Sequence, residues 1–508
     1  MSIDLSLDRI RRFQEYLPRY TRPTCHIAGT NGKGSVTALL TSIFDAGTPP
    51  LSVGRFNSPH LVSICDCIAI NDRPVSLDTY TQARAKVVQA DTSHRIKATN
   101  FEILTMTALV ILEEAQVDVA VIEVGMGGRL DATNGIPDEC ILASALTSVD
   151  LDHQSFLGNT VAEIAREKAA IARKGKPFIL GTQRHPEVYD AIKEVVLTNG
   201  GELIQASEAH GRDCDSKLRG TPPSNLDTLR PEMFPGPPGQ PVEIQIPLFS
   251  EPLLLNLPLQ GQHQLENLGT ALSLFSAVMT HPPCANFQKY FQHNFAVENI
   301  QNGVARVRWP GRLSFHKILV PLKTPPSVPG EKQGQMLILA DGAHNPASAE
   351  TLGAYIDQLL TQVLSSRTAP TPDRRITLTY LLALSHSPPK TPIQTLTPLI
   401  LPKIRNKFRD VHFDVNVGLM RFSTPDGMPW IKSVPPSELR EVVSGLVPDA
   451  TVWVPNVEDD PVGQLSEAIE WASERQRGQD GVVDEGLVVV AGSLYLVADL
   501  YRILGTSE

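Results

Sequence analysis

The segment TCHIAGTNGKGSVTALLTSIFDAG, residues 24–47, constrains the fold of this chain more than any other. A short apolar, β-rich run leads into a glycine turn. Val36, Leu39, Leu40, Ile43 and Phe44 then recur at helical spacing, and Gly47 offers a stop. Strand, glycine turn and helix in that order form the building unit of a parallel α/β sheet. The turn departs from the Walker pattern, because Gly34 separates Lys33 from Ser35 and only two residues separate Gly29 from Gly32. A tight strand-to-helix turn would account for the glycines alone. Backbone N–H groups at a helix N-terminus, reinforced by the helix dipole, also bind phosphate oxygens without side chains, and Lys33 adds a full charge. The complete, correctly flanked GTNGKGS therefore predicts a nucleotide phosphate site over Gly32, Lys33, Gly34 and Ser35.

The same alternation recurs along the chain. VDVAVIEVG is followed by TVAEIAREKAAIARKG, and MLILADGAHNP, ITLTYLLALS, ATVWVP and LVVVAGSLYL form a second series of strands and strand ends. A chain of 508 residues accommodates two or three domains. We read two α/β domains, over 1–300 and 301–508, with the junction near 300–312. In residues 207–241 proline, glycine and charge replace any hydrophobic period, which predicts a mobile surface insertion. Further proline-rich stretches near 320–335 and 368–374 are predicted loops.

A formal net charge of −10 leaves no overall basic field to hold nucleic acid or an anionic membrane, so an anionic substrate needs a local positive site. Six cysteines at irregular spacing predict free thiols rather than a disulfide framework or zinc knuckle. No apolar run reaches the roughly 18 residues of a membrane span. The N-terminal MSIDLSLDRIRRFQEY lacks a secretory core, and Asp4, Asp8 and Glu15 argue against a transit peptide. We expect a cytoplasmic monomer without nucleic-acid or membrane partners.

Candidate chemistry gathers where strands end. Glu123 closes an apolar run directly before GMGG, and a carboxylate there is a hard oxygen ligand suited to Mg²⁺. Its alternative is a local cap, with Arg129 and Asp131 paired at the surface. Ser58, in RFNSPHL, offers a hydroxyl to a metal or phosphate on a loop stiffened by Pro59, or simply lies in an exposed turn. His153 follows another strand beside Asp150 and Asp152, and alone reads as structural. Thr160 and Glu163 fit a capping box, and Val161, Ile164, Ala165, Ile171 and Ala172 form an apolar stripe that contains Lys168. A lysine there snorkels outward, pairs with an acid, or is modified. Carbamoylation by CO₂ would make it an anion able to help hold a second Mg²⁺. In the C-terminal part, Asp341 ends a strand, His344 lies in the following turn, and a helix starts near Pro346. Arg312 lies at the junction, placed to reach phosphates held by the first domain. Turn and linker roles are the alternative for each, and two facing ligand edges would form a cleft.

Together, GTNGKGS, SPHL, EVGMGGRLDATN, LDH, LGNT, EKAAI, GQHQLEN, WPGR, DGAHNP and GSLYL resemble, in order and over nearly the whole chain, the folylpolyglutamate synthase and dihydrofolate synthase branch of the Mur ligases. MSIDLSLDRI, DCIAIN and GMPWI look most like the fungal dihydrofolate synthases of that branch. Many folylpolyglutamate synthases carry Glu-Arg where this chain has Asp66 and Cys67, and many relatives carry an Asp-Lys-Asp type motif where it has LALSHSPPK. The resemblance implies a P-loop ATPase domain followed by a Rossmann-like domain. It implies that Gly32 to Ser35 cradle ATP, that Ser58, Glu123 and His153 hold Mg²⁺, and that Lys168 is carbamoylated beside a second ion, with K⁺ a further cation. Asn267, Arg312 and Asp341 would bind ATP, with His344 beside its phosphates.

The implied reaction joins L-glutamate to 7,8-dihydropteroate through an acyl phosphate, with Lys33, Lys168 and His344 as the catalytic side chains. Chain extension of tetrahydrofolate by the same chemistry is the near alternative. A P-loop switch or motor is the distant one, and RNKFRD does not supply the Asn-Lys-x-Asp of a guanine reader. The chain carries no Ser-His-Asp or Cys-His signature, in keeping with chemistry done by positioning and electrostatics.

Overall fold

The computed structural model describes residues 6–212, 226, 228–320, 334–365, 374–400, 411–456, 460–476 and 485–505. The chain divides into two compact units, one of residues 1–218 and 239–309, the other of 219–238 and 310–508.

In the first unit the strands are β1 (Thr24–Ala28), β2 (Val53–Phe56), β3 (Ile68–Ile70), β4 (Arg73–Pro74), β5 (Val119–Glu123), β6 (Ile141–Leu146), β7 (Pro177–Leu180) and β8 (Glu202–Gln205). They form one sheet in the order β4-β3-β2-β5-β1-β6-β7-β8. From β2 to β8 every pairing is parallel, and β3 and β4 close one edge antiparallel. β1, β5 and β6 are buried along their whole length, and such strands need no polar alternation. Cys25 and Ile27 pack one face of β1 into a core shared with the helices Lys33–Asp45 and Gln262–Thr280. Ala120, Ile122 and Ile141 pack the other face against the helix Asn100–Glu114. A small antiparallel sheet, β9 (Ala209–Gly211), β10 (Gln240–Ile244) and β11 (Leu253–Leu257), completes this unit.

The register sets the site. Ile27 pairs with Glu123 and with Ala145, and Phe56 pairs with Ile122. The C-terminal ends of β2, β5, β1 and β6 therefore lie side by side, at the edge where parallel α/β sheets bind ligands.

The second unit holds β12 (Ser314–Val320), β13 (Gly334–Ala340), β14 (Arg374–Leu382), β15 (Val411–Leu419), β16 (Thr451–Trp453) and β17 (Glu485–Ala491), in the order β12-β13-β17-β14-β15-β16. All pairings except β12 with β13 are parallel. This matches the expected α/β class and the expected second series of strands. The unit boundary falls between Trp309 and Pro310.

For its described residues, 207–212, 226 and 228–241, the mobile insertion expected over 207–241 is corrected. Its ends enter β9 and β10, and Leu226, Leu229 and Phe234 are buried in the core of the second unit. The Phe234 ring lies 5.1 Å from that of Phe315, and Thr228 Oγ1 donates to Glu485 Oε1 at 3.2 Å. These three apolar side chains anchor the described part of a stretch otherwise rich in proline and glycine. The loops expected near 320–335 and 368–374 fall almost wholly outside the described residues.

Leu229→Ala removes a fully buried side chain from this core and is expected to cost about 2–5 kcal/mol. Urea unfolding followed through Trp453 and Trp471, both in the second unit, reads the loss. An unchanged midpoint would mean that the segment contributes nothing to that core.

Candidate active site

The helix Lys33–Asp45 starts from Gly32 in a left-handed conformation, φ +91°, and no side chain caps it. Its first N–H groups belong to the class of helix-terminal donors that bind anions. Lys33 Nζ folds back over the loop, donating to Gly29 O at 3.2 Å and Thr30 O at 3.3 Å. It also stands 3.7 Å from Glu123 Oε1, at the end of the adjacent strand β5.

Glu123 is buried and held by a residue that the sequence reading missed. Asn57 Nδ2 donates to Glu123 Oε2 at 2.6 Å and to Thr37 Oγ1 at 2.7 Å, which joins the end of β2, the end of β5 and the helix Lys33–Asp45. Thr147, just past β6, donates to Asn31 O at 2.6 Å. Gln264 Nε2 donates to Ser35 Oγ at 3.2 Å and its Oε1 accepts from Asn267 Nδ2 at 3.0 Å, so the predicted Asn267 stands one bond behind the loop. No spacing rule marks Asn57, Thr147 or Gln264. Their only sequence signal is proximity to Ser58, to the VDLDH loop and to Asn267.

Lys168 does not snorkel. It is 3% exposed and donates to Gly29 O at 2.8 Å, the same carbonyl that receives Lys33. Burial, with the Lys33 charge next, pulls its ammonium down to about 7. Its helix, Val161–Ala169, begins with the predicted capping box of Thr160 and Glu163.

The glycine-rich turn after Glu123 is fixed from below. Asp131 is buried rather than surface-paired, accepting Thr133 Oγ1 at 2.6 Å, Thr133 N at 3.0 Å and Met126 N at 2.9 Å. The Thr133 hydroxyl proton goes to Asp131, so His26 Nε2, 2.8 Å away, donates to Thr133. Burial, with Arg173 next, holds this imidazole neutral down to about 3. Arg129 pairs with Glu167 at 3.0 Å, and its N–H donates to Glu167 O at 2.9 Å, which ties the turn to the helix of Lys168.

Ser58 is half-buried directly after Asn57, and His153 is exposed, with φ 50°, at the start of a short helix. Among the described residues no group of three or more His, Cys, Asp or Glu stands ready to hold a metal. Five cysteines, 25, 65, 67, 140 and 284, are free thiols. No described helix is long and apolar enough to cross a membrane.

In the second unit Asp341 follows β13. Its two oxygens accept Leu313 N and Ala343 N, each at 2.8 Å, and burial pushes its carboxyl up, against the pull of Arg312. Arg312 Nη1 donates to Gly311 O at 2.9 Å. His344 Nδ1 lies 3.0 Å from Gly342 O, and a carbonyl only accepts, so Nδ1 carries the proton. Lys390 Nζ donates to His344 O at 2.7 Å, which gives LALSHSPPK a contact with the DGAHNP turn. The sequence-predicted residues thus fall at one sheet edge within each unit: Lys33, Ser35, Glu123, Lys168 and Asn267 in the first, Arg312, Asp341 and His344 in the second.

A glycine loop at an uncapped helix N-terminus, with two lysines and a carboxylate at adjoining strand ends, and a second α/β unit beside it in sequence, fit the class of nucleotide-dependent enzymes. The family model for the dihydrofolate synthetase C-terminal domain matches residues 328–503. The dihydrofolate synthetase of Saccharomyces cerevisiae is 32% identical over 99% of this chain and 98% of its own. The probable dihydrofolate synthetase of Schizosaccharomyces pombe is 29% identical over 99% of both. The structure of Escherichia coli FolC in complex with DHPP and ADP is similar with a TM-score of 0.68 and 25% identity, covering 99% of this chain and 94% of that one. The chain belongs to the folylpolyglutamate synthase and dihydrofolate synthase family of the Mur ligases.

The buried amine of Lys168 has a consequence for stability. Unfolded, it holds its proton up to the ordinary 10.5, and folded only to about 7. Between these values the unfolded chain binds more protons, so stability rises with pH across the window, by at most about 1.4 kcal/mol per pH unit. Lys168→Met is expected to remove that slope, read as the difference in urea midpoints between the two proteins in CO₂-free buffers from pH 7 to 10. Parallel profiles would mean that the ammonium is tolerated where it stands.

Proposed function

We propose that this chain is a dihydrofolate synthase, which ligates L-glutamate to 7,8-dihydropteroate while ATP is converted to ADP and phosphate. The observation that carries the reading is the convergence of Lys33 and Lys168 on Gly29 O beside Glu123, at a helix N-terminus without a side-chain cap. Similarity to two fungal dihydrofolate synthetases over nearly the full chain supports the choice of acceptor.

A carboxylate is a poor acylating agent and must first be activated. Its oxygen attacks the γ-phosphorus of ATP, the bond to ADP breaks, and an acyl phosphate results. The neutral amine of glutamate then attacks the acyl carbon, the carbon–oxygen bond to phosphate breaks, and one proton is released. Two anions must approach in the first step, so fixed positive charge near the phosphates lowers its barrier. Lys33 supplies that charge, and Gly32, Gly34 and Ser35 supply backbone N–H donors. Asn267, Arg312 and Asp341 are the further proposed nucleotide contacts, with His344 beside the phosphates.

Ser58, Glu123 and His153 are the proposed holders of Mg²⁺. A hydroxyl, a carboxylate and an imidazole, the last a softer donor, are a sparse set, which suits an ion that keeps several waters and takes the rest of its shell from nucleotide phosphates. Bound there, Mg²⁺ would offset phosphate charge. A lysine amine whose pKa is about 7 is largely neutral at slightly alkaline pH, the form that adds CO₂. That supports a carbamate on Lys168 beside a second ion, with K⁺ a further candidate cation. The proposed active form is a monomer in the cytoplasm.

The decisive assay is glutamate-dependent ADP formation with 7,8-dihydropteroate or tetrahydrofolate as acceptor. Activity on dihydropteroate alone supports the proposal, activity on tetrahydrofolate assigns chain extension instead, and hydrolysis indifferent to both rejects the ligase reading. Lys33→Ala is expected to lower kcat by at least about 100-fold, and activity near the native level would mean that the loop binds no phosphate. Lys168→Ala is expected to lose activity that short-chain carboxylates partly restore, with the carbamate visible in ¹³CO₂-enriched NMR of the native protein. No carbamate signal and no rescue would leave Lys168 a structural lysine.

A further inference from the structure

Gly34 is the second residue of the helix Lys33–Asp45, and its φ is not among the positive values of the chain. Nothing in its own backbone asks for glycine, and alanine is the better helix former. The reason lies in its neighbour. A Cβ on Gly34 would stand 2.6 Å from Cζ2 of Trp309 and 3.0 Å from its Cε2 and Nε1, closer than atoms pack. The indole therefore rests on the phosphate loop where a side chain would otherwise begin. Cβ atoms on Gly29 and Gly32 would likewise overlap Thr147 and Asn267, although the positive φ of those two residues already favours glycine. Those two partners are held by hydrogen bonds. Trp309 is held by packing and charge.

Arg55, at the end of β2 and itself buried, places its guanidinium carbon 5.0 Å from the centroid of the Trp309 ring, and its Nη1 donates to Asp72 at 2.7 Å. The indole thus meets both Arg55 and Gly34 and packs on the core of the first unit, with its N–H buried and without a hydrogen-bond partner. It is also the last residue of that unit. A flat ring braced by a cation that is itself anchored is a stiff support. Gly34 carries one of the amides expected to face phosphate.

We propose that Trp309 is a positioning residue for ATP: braced by Arg55, it sets where the Gly34 backbone stands, and ATP affinity and turnover depend on it without any bond from the indole to the reacting atoms. This rests on the reading of Gly29–Ser35 as the nucleotide loop.

The test is a double-mutant cycle on the full chain with Gly34→Ala, Trp309→Leu and the pair, with Trp309→Phe as a variant that keeps a flat ring and the fold. Each of the first two is expected to raise KM for ATP about tenfold or more, because small displacements of a binding group are that costly. KM for 7,8-dihydropteroate is expected to stay within about twofold, because the support acts on the loop alone. Trp309→Phe is expected to remain within about threefold of native, as for a partial loss of packing. In the pair the methyl introduced by Gly34→Ala enters the space the indole leaves, so the combined effect is expected to fall short of the product of the singles by about fivefold, inside the range measured for residues in contact.

Independent effects of the two changes, or a native KM for ATP in Gly34→Ala, would overturn the inference. So would a Trp309→Leu protein that melts lower but keeps its KM values, since that is mere packing. ADP titration calorimetry on the same proteins separates the levels. A native chain that binds no ADP removes the nucleotide reading and this inference with it, whereas native ADP binding that no variant alters removes the inference alone.

Discussion

Two lysine side chains donate to one backbone carbonyl, that of Gly29, from 3.2 Å and 2.8 Å. This is an expensive arrangement in a folded protein. The Lys33 charge disfavours the Lys168 ammonium, and Lys168 is almost fully removed from water. Glu123 offsets part of the charge, but Asn57 and Lys33 hold that carboxylate at the strand edge rather than beside Lys168 alone. A lysine charge at the positive end of a helix suits an anion carrying several negative charges, the role proposed for this loop. Burial, with the Lys33 charge next, keeps the Lys168 amine near neutrality, the condition under which a lysine reacts with CO₂.

The scaffold explains how such charges are kept in place. Four parallel strands end side by side, and each contributes one fixed group: Asn57 after β2, Glu123 on β5, the glycine loop after β1 and Thr147 after β6. Beneath them the neutral imidazole of His26, through Thr133, supports Asp131, which takes the N–H of Met126 and so fixes the turn leaving Glu123. Preorganised donors of this kind need not be rearranged when charge develops on the substrate. The chemistry assigned to the site needs no protein nucleophile, and its polar groups are used up in holding geometry.

The local rules read from the sequence proved legible where one segment decides its own structure. The strand, loop and helix of residues 24–45 and the capping box of Thr160 and Glu163 depend on near neighbours, and both formed as expected. Lys168 was legible as an oddity, a cation in an apolar stripe, but not its partner, because Gly29 is 139 residues away. Asn57, Thr147 and Gln264 were missed for the same reason: their hydrogen bonds are set by strand order, and a single asparagine or glutamine carries no periodicity. The segment 226–238 was misjudged because composition averages over a window. Leu229 and Phe234 are few among prolines and glycines, yet burial depends on where the few apolar side chains fall and not on their share.

Asp66 and Cys67 bear on the choice between a single ligation and chain extension. Asp66 does not present a carboxylate outward, since its Oδ2 accepts the N–H groups of Val62 and Ser63, each at 2.8 Å, and closes a capping box with Ser63. Cys67 is 1% exposed, burial pushes its thiol far above neutrality, and its carbonyl accepts the N–H of Asn57 at 2.9 Å. The pair therefore shapes the backbone next to Asn57 and adds no positive charge beside it. A growing glutamate tail brings one further carboxylate with each addition and calls for cations to meet it. An acceptor with a single benzoate carboxylate makes no such demand, and a neutral, buried Cys67 at this position suits it.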